Sequence, residues 1–210
     1  EILFYRGHIG EYRHGDLLRI ILSRAARSAR LIPHYDLATP KEPVRTEYYC
    51  YKHRKTCQPV IECLKFLRRY TLDTVRRLRE FAAIRTSAEM RVIHGDSRRV
   101  RLRERLDGVL TSPPYVGQID YHEQHRYAYE LFGIPRADEA EIGPKRSGKS
   151  AAARERYCAD IAAVLANFRG ALKPGAPVLV VANDRLGLYG RIAEQAGFEI
   201  VETIHRAVSK

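Results

Sequence analysis

Leu106-Asp107-Gly108-Val109-Leu110-Thr111-Ser112-Pro113-Pro114-Tyr115 is the stretch on which the reading of this chain turns. Its first half is an apolar run that reads as a short buried strand. Its second half sets a small polar residue, two prolines and an aromatic at the strand's C-terminal edge. Proline fixes φ and removes a backbone donor, so the loop is stiff and its carbonyls stay open as acceptors. Such a loop suits a planar ring that carries an amino group. Tyr115 would stack on the ring, and Ser112 Oγ and the Pro113 carbonyl would accept the amino hydrogens. A plain proline-rich turn after a strand is the other reading of the same residues.

The flanks extend the pattern. Upstream, Met90-Arg91-Val92-Ile93-His94-Gly95-Asp96-Ser97 reads as a strand followed by Gly-Asp. Asp96 thus falls near a strand's carboxyl end, where open α/β sheets bind ligands. Downstream, Leu172-Lys173-Pro174-Gly175-Ala176-Pro177 reads as a helix end and a Pro-Gly turn, and Val178-Leu179-Val180-Val181-Ala182 as a buried strand. Gly197-Phe198-Glu199-Ile200-Val201 opens a last strand. Strands are predicted near 90–94, 107–111, 177–183 and 198–206, and helices near 120–132, 151–171 and 187–196. Alternation of this kind implies a mainly parallel sheet with crossover helices, the last two strands forming an antiparallel edge pair.

Ser112-Pro113-Pro114-Tyr115 resembles the catalytic motif of the amino-group DNA methyltransferases, in which Asp, Asn or Ser precedes Pro-Pro-Tyr or Pro-Pro-Phe. The serine form, particularly with a threonine such as Thr111 before it, is more typical of the cytosine-N4 branch than of the adenine-N6 branch. Enzymes acting on RNA bases or on protein glutamine carry similar loops. The resemblance covers most of residues 89–208. It implies an α/β, partial Rossmann-like methyltransferase fold over 89–210, preceded by a mostly helical segment over 1–88. It implies S-adenosylmethionine as cofactor, with Asp96 on its adenosyl part and Thr111, Asp120 and Tyr121 as further pocket residues. It also implies double-stranded DNA as partner, a restriction-modification setting, and Ser112, Pro113, Pro114 and Tyr115 as the catalytic residues.

The chemistry explains why so few residues suffice. The exocyclic amine of cytosine or adenine is a poor nucleophile because its lone pair is delocalised into the ring. Acceptors on both N–H bonds favour a pyramidal nitrogen, and a sulfonium methyl donor is already activated. Positioning and aimed dipoles therefore carry much of the catalysis. Methylation at cytosine C5 would need a cysteine nucleophile, but Cys57-Gln58-Pro59 has the wrong order and context. The target amine is inaccessible inside a duplex, so the base must be flipped out.

One family feature is absent from the sequence. The family binds the methionine end of its cofactor with a Phe-x-Gly-x-Gly-like turn after its first strand, where close backbone approach requires glycine. Here the chain opens on Glu1-Ile2-Leu3-Phe4-Tyr5. The first strands and the glycine turn are therefore expected from a preceding segment or from a second polypeptide. A catalytically silent nucleic-acid-binding remnant and an RNA methyltransferase are the competing readings.

Charge agrees with a nucleic-acid partner. The chain of 210 residues has a formal charge of +12, and 13 Lys/Arg face 5 Asp/Glu over residues 64–106. Phosphate binding accounts for such an excess, as does a solvated helix face in a chain whose 37 basic residues include 29 Arg. Four cysteines do not suggest a disulfide scaffold. No apolar run approaches the length of a membrane span and no signal peptide is visible, which predicts a cytoplasmic setting.

The first half reads as helical over Leu17–Ala26, with Asp16 or His14 near the start, and again over Pro59–Tyr70 and Thr71–Arg85. Leu72, Val75, Leu78, Phe81 and Ala82 mark the expected buried stripe of the last of these. Residues 31–57, with Pro33, Pro40, Pro43 and Tyr48-Tyr49-Cys50-Tyr51, read as an irregular excursion.

Two further motifs point elsewhere. Gly143-Pro144-Lys145-Arg146-Ser147-Gly148-Lys149-Ser150 matches the phosphate-loop pattern, but Arg136–Glu141 before it has no strand character. It is better read as a basic loop whose Lys145, Arg146 and Lys149 contact DNA phosphates. Cys50-x2-His53-x3-Cys57-x5-Cys63 offers four ligand types suited to zinc in a spacing that matches no common site. Buried cysteines are ordinary, so the sequence alone assigns no metal.

Overall fold

The computed structural model describes residues 1–29, 31–33 and 43–206. The part of the 31–57 excursion that includes Pro40 lies outside the described residues. The chain divides into two compact units, Glu1–Met90 with Tyr121–Ala137, and Arg91–Asp120 with Asp138–Lys210.

In the first unit, helix α1 (Ile2–His8) runs into a short 3-10 turn (Ile9–Glu11) and then helix α2 (Gly15–Ser28). His14 is the N-cap of α2, and Asp16 stands in its first turn, where a negative charge opposes the exposed amides. Apolar spacing along α2 puts Ile21, Leu22, Ala25 and Ala26 on one buried face. Leu22 and Ala26 join Ile9 and Leu131 in a core, with Leu18, Leu67 and Tyr127 packed against it. Each large side chain buried there is worth roughly 2 kcal/mol.

A hairpin follows, built from β1 (Tyr48–Cys50) and β2 (Lys55–Cys57). The strands pair antiparallel, with Cys50 opposite Lys55 and Tyr48 opposite Cys57. Two expected helices then prove to be one, α3 (Leu64–Ile84), because no proline or glycine interrupts the run. Its expected buried stripe is corrected too. Leu72, Val75, Leu78 and Phe81 are exposed, Phe81 by 52%. α3 meets α2 through its other face: Arg24 pairs with Asp73 at 2.7 Å, and Ser28 Oγ lies 2.7 Å from the Tyr70 hydroxyl. The expected helix over 120–132 is broken at His125 into α4 (Tyr121–Gln124) and α5 (Arg126–Phe132), and Gly133 ends α5.

The second unit is a small parallel sheet with two helices. Strands β3 (Val109–Thr111) and β4 (Val178–Val180) pair in register, Val109 with Val178 and Thr111 with Val180. A single parallel bridge joins Leu106 to Leu172. Helix α6 (Ala151–Arg169) starts at Ser150, whose Oγ accepts from the Ala153 amide at 3.2 Å. Helix α7 (Tyr189–Ala196) ends at Gly197, which has φ +73°. Tyr157, Cys158, Ile161, Ala162 and Leu165 of α6 pack with Ile192 and Ala196 of α7 and with Val116 in one core.

The runs over 90–94 and 198–206 are not strands. Their composition is strand-like, yet strand formation requires a ladder partner, and the described residues supply none. Val92 and Val201 are 86% and 93% exposed in consequence. The chain is thus a mixed α/β protein, and the sheet expected to run through 89–210 is two strands wide among the described residues.

Candidate active site

Parallel pairing brings the C-terminal ends of β3 and β4 side by side, and the Val181 amide extends the ladder to the Thr111 carbonyl at 2.9 Å. The chain leaves β3 through Ser112–Tyr115 and leaves β4 through Asn183-Asp184. A cleft of about 630 Å³ opens at this edge, as the topology of parallel sheets favours. Its lining includes Tyr115, Lys149, Asn183, Asp184, Arg185 and Tyr189.

The loop is fixed from below. The Tyr157 hydroxyl, carried up by α6, donates to the Pro114 carbonyl at 2.8 Å and lies 2.9 Å from the Tyr189 hydroxyl. Burial raises both phenols above the ordinary tyrosine range, so they remain neutral hydrogen-bonding groups. Among the described residues, Ser112 Oγ and the Pro113 carbonyl accept no hydrogen bond. Ser112 is exposed, while Pro113, Pro114 and Tyr115 are half-buried. The prolines cannot donate, so this segment offers acceptors along its backbone, and of its four residues Tyr115 is the one that lines the cleft.

Two glycines seat the loop against residues 143–149. The Gly117 amide donates to the Gly143 carbonyl at 3.0 Å. Gly117 has φ +64°, and a Cβ there would stand 2.6 Å from the Gly148 carbonyl oxygen. Gly143 has φ +60°, and a Cβ there would stand 2.7 Å from the Tyr157 ring. A side chain at either position would therefore have to displace the Gly148 backbone or the Tyr157 ring, in a φ region that favours glycine.

The remaining expected site residues fall in distinct surroundings. Thr111 ends β3, half-buried. The Asp96 carboxylate accepts the Arg98 backbone amide at 3.0 Å and the guanidinium of the same residue through Nε and Nη2, while Arg98 Nη1 reaches Asp160 at 2.6 Å. Those Arg98 hydrogen bonds hold the Asp96 carboxyl below its usual range. Asp120 Oδ1 accepts the Arg146 amide at 3.0 Å and so ties the 143–149 loop in place. Tyr121 begins α4 in the other unit.

The basic loop divides. Arg146 is committed to Glu141 at 2.8 Å, to the Asp138 carbonyl and to Asp120. Lys145 is exposed, and Lys149 is exposed at the cleft. The segment ahead of this loop, Asp138–Ala140, is a 3-10 turn. Sequence reading missed Tyr157, Tyr189, Asp184 and Arg185. Asp184 Oδ1 and Oδ2 accept the Leu188 and Tyr189 amides at 2.7 and 3.0 Å, capping α7 and fixing the cleft wall. The signal for Asp184 was available, since Asn183-Asp184 directly follows the run ending at Ala182.

In the first unit, Cys50, His53 and Cys57 of the hairpin place their ligand atoms within 4.8 Å of one another. Cys63, the N-cap of α3, is buried and stands apart from that group. Among the described residues no helix is long and apolar enough to cross a membrane.

No protein-family model and no solved structure matches the chain. Among characterised proteins it is similar to the Type II methyltransferase M.MjaII of Methanocaldococcus jannaschii, with 46% identity over 226 residues, covering 99% of this chain and 43% of that protein. The chain thus spans less than half the length of that relative. Over nearly its whole length, this chain is homologous to a portion of a type II methyltransferase.

Proposed function

We propose that the chain is the catalytic portion of an S-adenosylmethionine-dependent DNA methyltransferase that modifies the exocyclic amine of a flipped base, cytosine N4 in preference to adenine N6. The observation that carries the reading is a cleft lined by Tyr115, with the unengaged acceptors Ser112 Oγ and the Pro113 carbonyl three and two residues before it on the same loop. Similarity to a type II methyltransferase supports it.

In this reading Tyr115 stacks on the extruded base, and the two acceptors take its amino hydrogens. The nitrogen lone pair is thereby localised, and the amine proton leaves to solvent after transfer. Tyr157 holds the Pro114 carbonyl, so the acceptors next to it are fixed before the base arrives. Thr111-Ser112, rather than an acidic residue, before Pro113 is what favours cytosine N4.

The cleft residues fit the proposed cofactor. Tyr115 and Tyr189 are aromatic cleft residues that would suit a sulfonium cation, and Asn183 would be a polar partner for the ribose hydroxyls. Asp96 and Thr111 would hold the adenosyl part. When bound, S-adenosylmethionine supplies a methyl group already activated on sulfur. No Phe-x-Gly-x-Gly-like turn stands in this sequence, and the chain matches 43% of the length of M.MjaII. Lys145, Lys149 and Arg185 are assigned to DNA phosphates. The restriction-modification setting and a cytoplasmic location follow from the same reading.

The test is nucleoside mass spectrometry of unmethylated DNA incubated with the protein and S-adenosylmethionine. N4-methylcytosine is expected. N6-methyladenine would overturn the choice of base, and methylation confined to RNA competitor would overturn the choice of substrate. An enzyme that binds the cofactor yet leaves every base unmethylated overturns the catalytic reading.

A further inference from the structure

The geometry points to a zinc site at Cys50, His53 and Cys57, which belong to the first unit. It rests on three side chains that the hairpin brings together. Cys50 ends β1, Cys57 ends β2, and the turn Tyr51–Arg54 carries His53 back over the strands. Arg54 has φ +53°, and it is the one non-glycine residue with positive φ among those described. Such a conformation costs about 1–3 kcal/mol and persists where surrounding structure requires it.

The distances are those of a ligand set. Zinc binds thiolate sulfur at about 2.3 Å and imidazole nitrogen at about 2.0–2.1 Å, so two vertices of a tetrahedron stand about 3.5 Å apart for S···N and about 3.8 Å for S···S. Cys57 Sγ and His53 Nδ1 are 3.5 Å apart, and all three ligand atoms lie within 4.8 Å of one another. With Nδ1 as ligand, the imidazole proton sits on Nε2. Binding releases the two thiol protons to solvent. The group holds three protein ligands among the described residues, so water would complete a four-coordinate site.

The hairpin's own composition gives the ion a purpose. Strands of three residues are too short to stand alone in water. Tyr49 and Tyr51 are exposed, as are Lys52, Arg54 and Lys55, so little apolar burial holds the hairpin together. Cys50 and Cys57 are its buried side chains. A metal clip across the two strands would fix the hairpin and display those tyrosine and basic side chains on its outer surface.

The test uses the full chain produced with zinc and passed into metal-free buffer. Elemental analysis is expected to find about one zinc per chain, and Co²⁺ exchange is expected to give the thiolate charge-transfer absorption and strong visible bands of tetrahedral cobalt. Cys50→Ser, Cys57→Ser and His53→Ala should each weaken zinc binding by more than about 100-fold, since loss of an outer partner alone costs 10–100-fold. Limited trypsin digestion of the unaltered chain supplies a second measurement that does not depend on the folding of a ligand variant. Chelation should open cleavage after Lys52, Arg54 and Lys55, and added Zn²⁺ should close it. Wild-type chain that retains no stoichiometric zinc overturns the site. So does a Cys50–Cys57 disulfide detected as the loss of two hydrogens, or a tryptic pattern indifferent to zinc.

Discussion

The proposed acceptor loop depends on one hydroxyl more than on any charge. Tyr157 donates to the Pro114 carbonyl and meets Tyr189, and both phenols are kept neutral by burial. Tyr157→Phe should therefore lower unfolding free energy by about 1 kcal/mol, the net worth of one such bond, and reduce kcat with little change in KM, because the acceptors lose their fixed position. Urea titration and steady-state kinetics of the variant measure the two effects, and an unchanged kcat would remove Tyr157 from loop positioning. Tyr115→Ala tests stacking instead. It should cost about 1–3 kcal/mol of base binding, by comparison with stacked single-strand bases, read as a matching rise in Kd for DNA carrying an unpaired target base. The Ser-Pro-Pro-Tyr loop was legible in the sequence because its stiffness is local. Tyr157 was not, because its link to Pro114 spans 43 residues and exists only through packing.

At the scale of elements, the cleft wall is the start of α7, and Asp184 holds it. Its two carboxylate oxygens accept the Leu188 and Tyr189 amides. Asp184→Ala removes an end-cap worth about 1 kcal/mol and frees Tyr189 from the cleft. A fall in thermal midpoint should accompany weakened S-adenosylmethionine binding by calorimetry, whereas Asp184→Asn should recover part of both. Among the helices, α2 follows its apolar spacing, and α6 starts at its capping Ser150. α3 shows where that reasoning stops: periodicity predicts a helix there, but not which face is covered. Leu72, Val75, Leu78 and Phe81 have the spacing of a buried stripe, while Arg24 with Asp73 and Ser28 with Tyr70 decide the packed side. The runs near Val92 and Val201 fail as strands for a related reason. A β-rich composition becomes a strand only when a neighbour supplies the ladder.

Over the whole molecule, charge sets both the pH window and the salt response. Asp73 is held well below the ordinary carboxylate range by hydrogen bonds from Arg24, Arg76 and Arg77, and Asp96 is held low by Arg98. Their unfolded counterparts titrate near 3.9. Both contributions are complete above that value and are lost as pH falls through the folded values, so urea midpoints should drop below about pH 4. Tyr157 and Tyr189 have raised folded values. Their contribution is complete below about pH 10 and is lost as pH climbs above it, so a second decline is expected in strong alkali. A flat profile at either end would remove the corresponding groups from the account.

Salt separates the basic residues that only look alike in sequence. Arg146 is bound to Glu141 and Asp120, and its replacement should destabilise the loop while leaving the salt dependence of DNA binding unaltered. Lys149 and Arg185 line the cleft, and neither makes an ion pair among the described residues. If each meets a phosphate, Lys149→Ala and Arg185→Ala should each reduce the slope of log K against log salt by about 1. The double variant should reduce it by about 2, with thermal stability within about 0.5 kcal/mol of the parent. Binding isotherms on one duplex at four salt concentrations decide this. Unchanged slopes for both single variants would move the phosphate contacts away from the cleft edge, to other basic residues of the chain.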